Sequence, residues 1–323
     1  MADTLKYRLP GKEIIEQFGI FEACEKESIQ DGFVLADFNL KHYFGFKENK
    51  QVNRDKIKLH FQLAHPYVIE REKYLLEAEG FLTSFKERKL LKGVYSRVKK
   101  VEFDEQKSEA LFFALAQNYP NSFVYLVSST VFGTWVGATP EVLLSLENKQ
   151  ARTISLAGTK KTSDTSDWNS KEKEEQSIVT DYIHQVLNQT VKGEIKTEGP
   201  YEYVAGPVKH LRTDFLFDLE NSASLDLVER LHPTPAVCGL PKDVANELIL
   251  KMEKHNRFFY SGVVGLIGEQ STNLFVNLRC CQITEGSAFL YLGGGFTKDS
   301  IPSLEWEETE NKSETLLNIF QKL

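Results

Sequence analysis

Three strand-like runs follow one another between residues 122 and 146, with gaps too short to hold a helix. They cover residues 122–127, 132–136 and 142–146, and each is dominated by β-branched, aromatic or other apolar side chains. A parallel pair of strands needs a crossover of about a dozen residues or more, whereas an antiparallel pair needs only a hairpin turn. The spacing therefore favours antiparallel pairing in this part of the chain.

Helical patterns and further strand-like runs occupy much of the remaining sequence. Apolar periodicity and polar flanks predict helices over residues 67–89, 105–117, from 171 onwards, 242–254 and 305–320. Short apolar runs predict strands at residues 32–36, 43–46, 92–97, 262–267, 274–278 and 289–292. The combination predicts an α+β (α/β) fold with large, mostly antiparallel sheets and helices outside them.

Composition limits the domain number and the kinds of partner. The chain has 323 residues, 41% of them hydrophobic, and no repeat or Pro/Ser-rich linker. We therefore expect one domain over residues 1–323. The net charge of −7 makes nucleic acid an unexpected partner, and no apolar stretch approaches the roughly 20 residues that a membrane span or anchor would need. We expect a cytoplasmic protein, because the four cysteines also lack the spacing of a disulfide or zinc framework.

Two of the predicted helices carry acidic residues on their apolar stripe. Glu172 and Glu175 share a face with the apolar positions of the helix from 171, and Glu305 and Glu308 precede Lys312 on one face of the last helix. An unpaired buried carboxylate costs several kcal/mol, so these acids indicate a bound cation or buried ion pairs. Lys312 alone could satisfy Glu308. Carboxylates without a cysteine or histidine cluster favour Mg²⁺ and an anionic substrate.

Four groups of segments, in this order, resemble the chorismate-binding enzyme family, which includes isochorismate, salicylate, anthranilate and aminodeoxychorismate synthases. They are GATPE (137–141) with LAGT (156–159), LHPTPAVCGLP (231–241), VNLR (276–279), and GGG (293–295) leading to EWEET (305–309) and Lys312. The resemblance runs from about residue 92 to the C-terminus. Residues 1–65 match the family poorly and are expected to form a further portion of the same domain.

The resemblance implies the fold of anthranilate synthase component I, with two stacked sheets, flanking helices and an active site in the cleft between the sheets. It also implies that Glu175 and Glu308 bind magnesium, with Glu172 and Glu305 beside them. Related isochorismate synthases often carry histidines on either side of the first magnesium acid, and this chain carries glutamate and glutamine there.

Within the family, the motifs resemble those of isochorismate synthases, which are isomerases. Lys92 matches the lysine that activates water, and Ala157 stands where aminodeoxychorismate-type enzymes carry a nucleophilic lysine. Lys92 is then expected to act as general base for water attacking C2 of chorismate, and Glu141 as general acid for the hydroxyl leaving C4. The alternatives are a salicylate synthase, which also eliminates pyruvate, and a chorismate-binding module without catalysis.

The resemblance also implies a substrate-binding set. Arg279 and Lys312 would take the carboxylates of chorismate, and glycines would let the backbone approach the anion closely. The other expected substrate-binding residues are Gly158, Thr159, His232, Gly293 and Gly294. No amidotransferase partner is expected. The sequence leaves open whether the product would enter menaquinone, siderophore or salicylate biosynthesis.

Overall fold

The computed structural model describes residues 2–29, 31–51, 58–220, 222 and 224–323. In these ranges the chain forms sixteen strands and six α-helices. The strands are β1 (Asp3–Arg8), β2 (Ile15–Cys24), β3 (Gly32–Ala36), β4 (Tyr43–Glu48), β5 (Lys92–Glu102), β6 (Phe123–Ser129), β7 (Gly133–Thr139), β8 (Val142–Glu147), β9 (Gln150–Lys161), β10 (Lys196–Ala205), β11 (Val208–Asp218), β12 (Gly239–Leu240), β13 (Val263–Ile267), β14 (Ser271–Val276), β15 (Cys280–Thr284) and β16 (Ser287–Phe296). The helices are α1 (Arg71–Arg88), α2 (Ser108–Asn118), α3 (Ser170–Thr190), α4 (Ser224–Leu231), α5 (Lys242–Met252) and α6 (Pro302–Phe320).

The strands join edge to edge in one sheet. Their order is β10-β11-β9-β8-β14-β13-β3-β4-β2-β1-β6-β7-β15-β16-β5-β12, and every described pairing is antiparallel. The predicted antiparallel architecture is therefore confirmed. The resemblance implied two separate sheets. In the structure the two are joined into one continuous sheet through β2 and β1.

The sheet folds over, so that its two halves still lie face to face. Phe123 on β6 and Phe275 on β14 are six strands apart in the sheet, which in a flat sheet would be about 29 Å. Their rings nevertheless stack with centroids 4.7 Å apart and planes within 6°. The two stacked layers of the prediction are thus the two halves of one sheet, with an aromatic core between them.

Helices cover the outer faces of both layers. Val179, Ile183 and Leu187 of α3 pack in the core of the half that contains β8 and β11, whereas α2 and α6 pack against β6, β7 and β16. As a result α3 lies beside β9, and α6 lies beside β16. None of the helices in the described ranges combines the length and apolar character that a membrane crossing requires.

The sequence-based prediction missed several elements between residues 150 and 231. It contained no strands for β9, β10 and β11, and no helix for α4. β10 is an edge strand whose residues are nearly all exposed, so it shows no apolar alternation. The poorly matching N-terminal segment supplies β1 to β4, which lie in the middle of the sheet between β13 and β6.

Candidate active site

A cleft with about 670 Å³ of empty space opens where β5, β9, β11 and β16 meet α3 and α6. The cleft gathers charged and glycine-rich positions that are far apart in sequence. Of the residues predicted to form the site, those lining it are Lys92, Glu141, Gly158, Thr159, Glu175, Arg279, Gly293 and Lys312.

Lys92 lies at the floor of this cleft. It is the first residue of β5, and it is only 1% exposed. Its Nζ lies 2.9 Å from Oε1 of Glu175, a buried residue of α3. A buried ammonium needs such a partner, and the ion pair joins the strand to the helix across the cleft.

Glu141 lies in the same cleft, between β7 and β8. Its side chain is 5% exposed, and its backbone oxygen accepts a hydrogen bond from the N–H of Val276. Burial raises the pKa of Glu141 to about 7, although the cations Lys92, Lys312 and Arg279 act in the opposite direction. A carboxyl group that keeps its proton near neutral pH is suited to general acid catalysis.

Two cationic side chains face the cleft from another side. Arg279 donates from Nη1 to the backbone oxygen of Lys312, and Lys312 donates from Nζ to the backbone oxygen of Gly293 at 2.9 Å. Burial lowers the pKa of Arg279 to about 10, which still leaves the guanidinium charged at neutral pH. The arrangement can bind an anion with more than one carboxylate.

His210 on β11 lines the cleft and was not among the predicted residues. Its Nδ1 lies 2.8 Å from the backbone oxygen of Gly158, so Nδ1 carries the proton and donates. Nε2 is left to accept from Nη2 of Arg279 at 3.4 Å. Burial lowers the pKa of His210 to about 3, and the neutral ring therefore orients the guanidinium.

The acids of α6 lie next to the cleft and to one another. Glu308 pairs with Lys312 at 2.6 Å, and Glu305 pairs through Oε1 with Lys171. The other oxygen of Glu305, Oε2, is buried and lacks a hydrogen bond of ordinary geometry in the described part of the chain. Burial, together with repulsion from Glu308, raises the pKa of Glu305 above its ordinary value.

These acids fit a hard divalent cation. Among the described residues, no three ligating side chains are already gathered around one point, because lysines hold the carboxylates. The buried Oε2 of Glu305 and the repulsion between Glu305 and Glu308 nevertheless indicate negative charge that the lysines do not fully offset. Glycines keep the space open: a Cβ on Gly295 would lie 2.3 Å from Oε1 of Glu175.

Three residues that were predicted for the site do not line the cleft. Glu172 forms a capping box with Asn169 at the start of α3, so its carboxylate accepts from a backbone N–H outside the cleft. His232 is not brought to the cleft: it is buried, with Nε2 3.0 Å from the backbone oxygen of Phe38. Gly294 does not line the cleft but lies against the side chain of Glu305.

The sequence matches a family model described as chorismate binding enzyme over residues 36–321. The chain belongs to the chorismate-binding enzyme family. Over 263 residues it is 30% identical to isochorismate synthase MenF of Bacillus subtilis (strain 168), a match that covers 77% of this chain and 56% of MenF. Over 282 residues it is 30% identical to isochorismate synthase DhbC of the same organism, covering 79% of this chain and 70% of DhbC.

A solved isochorismate synthase has the same fold. The structure of MenF, the menaquinone-specific isochorismate synthase from Escherichia coli, superposes with a TM-score of 0.82 and 20% sequence identity, over 98% of this chain and 88% of that one. The chain spans only about half the length of some curated relatives, including 56% of the Bacillus subtilis MenF sequence.

Proposed function

We propose that this protein is an isochorismate synthase, an isomerase that converts chorismate to isochorismate without an amidotransferase partner. The observation that carries the proposal is that Lys92 and Glu141, a base candidate and a protonated acid, line one cleft that also holds two anion-binding cations. The curated relatives at 30% identity that are named isochorismate synthases support this reaction.

In the proposed reaction, water adds at C2 of the ring as the hydroxyl leaves C4. Lys92 takes a proton from the attacking water, and Glu141 gives its proton to the departing hydroxyl, which leaves as water. Each transfer can contribute about 10²–10⁴ in rate. Nζ of Lys92 lies 2.9 Å from Oε1 of Glu175, so we expect this contact to be given up before Lys92 accepts a proton from water.

Substrate orientation would depend on the cationic side of the cleft. Arg279, oriented by His210, and Lys312 would bind the two carboxylates of chorismate. Glu175 and Glu308, with Glu305 beside them, would hold Mg²⁺, which when bound neutralises the charge of the ring carboxylate. Ala157 lines the cleft at the position where an aminating relative would carry a lysine, which supports water as the nucleophile.

Product analysis tests the proposal directly. Purified protein is incubated with chorismate, with and without Mg²⁺, and the products are separated by chromatography. We expect isochorismate that depends on Mg²⁺, with neither salicylate nor pyruvate. Pyruvate together with salicylate would identify a salicylate synthase instead, and unchanged chorismate would favour a binding module without catalysis.

Replacing Glu308 by glutamine should weaken the response to metal. The amide keeps the shape of the side chain but loses the charge, so we expect the Mg²⁺ concentration for half-maximal turnover to rise about 10–100-fold. Glu307→Gln, on the exposed side of the same helix, is the matched control and should respond as wild type. A wild-type Mg²⁺ titration of Glu308→Gln would remove Glu308 from the ligand set.

The raised pKa of Glu141 predicts a loss of activity in alkaline solution. The acid must be protonated to act, and its pKa is about 7, so kcat/KM should fall as the pH rises above that value. The measurement is kcat/KM for chorismate across neutral and alkaline pH at saturating Mg²⁺. A profile that stays flat through this range would argue against Glu141 as the general acid.

A further inference from the structure

The strand that carries Lys92 has one incomplete edge. β5 pairs with β16 from Gly93 to Glu102, but on its other edge β12 pairs only with Lys92 and Gly93. The N–H of Val94 still reaches the backbone oxygen of Cys238 at 2.8 Å. Beyond it, the oxygen of Val94 and the N–H of Ser96 point to a side without a strand, where buried backbone groups require other partners.

A buried ion pair satisfies these two backbone groups. Glu253 accepts from the N–H of Ser96 through Oε1 at 2.7 Å, and Arg257 donates from Nη2 to the oxygen of Val94 at 3.0 Å. The two side chains also bind each other in a two-pronged contact, Nε to Oε2 at 2.8 Å and Nη2 to Oε1 at 2.6 Å. The Glu253–Arg257 pair therefore takes the place of a neighbouring strand.

The same pair reaches two other walls of the cleft. Arg257 donates from Nη1 to the backbone oxygen of Val237 at 2.7 Å, and its backbone oxygen accepts from the N–H of Tyr260 at 2.8 Å. Val94, Val237 and Tyr260 all line the cleft, whereas neither Glu253 nor Arg257 does. The guanidinium thus joins the Val94 wall to the Val237 wall from behind the cleft, and the backbone of the same residue holds Tyr260.

Burial of this pair is costly, which suggests a role beyond stability. The side chains of Arg257 and Glu253 are 3% and 2% exposed. Buried ion pairs can often be replaced by apolar side chains without loss of stability, whereas their hydrogen bonds define geometry closely. Lys92 lies only two residues from the backbone oxygen that Arg257 holds, and displacing a reacting group by about 1 Å can cost roughly 10²-fold in rate.

We infer that Glu253 and Arg257 are positioning residues, which fix Lys92 on β5 relative to Val237 and Tyr260 without touching the substrate. This inference rests on the proposed function, because it assigns the pair to the placement of the proposed base. The pair acts through the backbone, so its loss should lower kcat much more than it raises KM.

Chemical rescue provides a test. Arg257→Ala should lower kcat for chorismate by about 100-fold with a much smaller change in KM. Guanidinium at millimolar concentration should restore a large part of kcat, whereas urea, which has a similar shape but no charge, should not. An adjoining cleft lined in part by Glu253, His255 and Arg257 gives the small cation a route. Arg88→Ala, which removes a partly exposed arginine paired with Glu247, is the control, and its kcat should neither fall nor respond to guanidinium.

A second readout does not depend on turnover. Amide hydrogen exchange of residues 92–97, measured without substrate, should accelerate in Arg257→Ala and slow again with guanidinium. Should Arg257→Ala fail to fold, Glu253→Gln takes its place, with faster exchange at Ser96 and reduced kcat expected. Any one of three results would overturn the inference. They are a wild-type kcat in a folded variant, no guanidinium rescue in folded Arg257→Ala, and unchanged amide exchange of residues 92–97. A wild-type protein that leaves chorismate unchanged would refute the proposed function, while exchange would still decide whether the pair holds β5.

Discussion

Lys92→Ala is expected to abolish measurable turnover of chorismate while leaving most of its binding. The substitution removes the only lysine at the cleft floor in the described residues, but it leaves Arg279 and Lys312 to hold the substrate carboxylates. Loss of a general base costs about 10²–10⁴ in rate. Turnover is measured by product formation at saturating Mg²⁺, and binding by calorimetry with the inactive variant.

A buried lysine elsewhere gives the matched control for Lys92→Ala. Lys6 on β1 is also buried and pairs with Glu16 and Glu109, and none of these three residues lines the cleft. Lys6→Ala should therefore lower the melting temperature without reducing kcat. Wild-type turnover by Lys92→Ala would remove Lys92 from the mechanism, and loss of both turnover and chorismate binding would indicate that the lysine binds the substrate instead.

Glu141→Gln is expected to lower kcat by about 10²–10⁴ and at the same time to stabilise the protein in alkaline solution. The amide cannot donate the catalytic proton, which accounts for the lost activity. Folding raises the pKa of Glu141 from 4.5 to about 7. The protonated form of Glu141 therefore contributes about 3 kcal/mol to the free energy of unfolding. This contribution is complete below pH 4.5 and is lost as the pH rises through about 7.

The stability effect is measured as the free energy of unfolding at several pH values. Glutamine does not ionise, so the variant should exceed wild type above neutral pH and lose this advantage in acid. Glu147→Gln, at the exposed end of the next strand, is the control and should change neither quantity. Unchanged kcat in Glu141→Gln would exclude the acid role, and equal stability at alkaline pH would contradict the burial argument.

The helices that carry the acids were predictable because their apolar stripes repeat at helical spacing. The stripe through Val179, Ile183 and Leu187 set the orientation of α3, and Glu175 follows from it as a buried residue. Lys312 was recognised as a possible partner of Glu308, and the structure contains this ion pair. Local periodicity was sufficient in both cases because the relevant neighbours lie on the same helix.

Other site features depend on contacts that periodicity does not report. His210 faces the cleft only because β11 pairs with β9, and neither strand was predicted. The Glu253–Arg257 pair likewise depends on the incomplete edge of β5, which is a property of the sheet order. Glu172 is different: the sequence Asn169-Ser-Lys-Glu172 is a readable capping box, and that signal accounts for its carboxylate.

The pairing of β5 with β16 also has a consequence for how the chain is made. Residues 92–102 leave the ribosome long before residues 287–296, their hydrogen-bonding partners. At about 5–20 residues per second, the delay is roughly 10–40 s. During that interval residues 93–102 lack their long partner strand, and apolar strands such as β6 and β7 lack the layer that finally covers them. The nascent chain, more than the finished protein, is therefore the species that needs protection from aggregation.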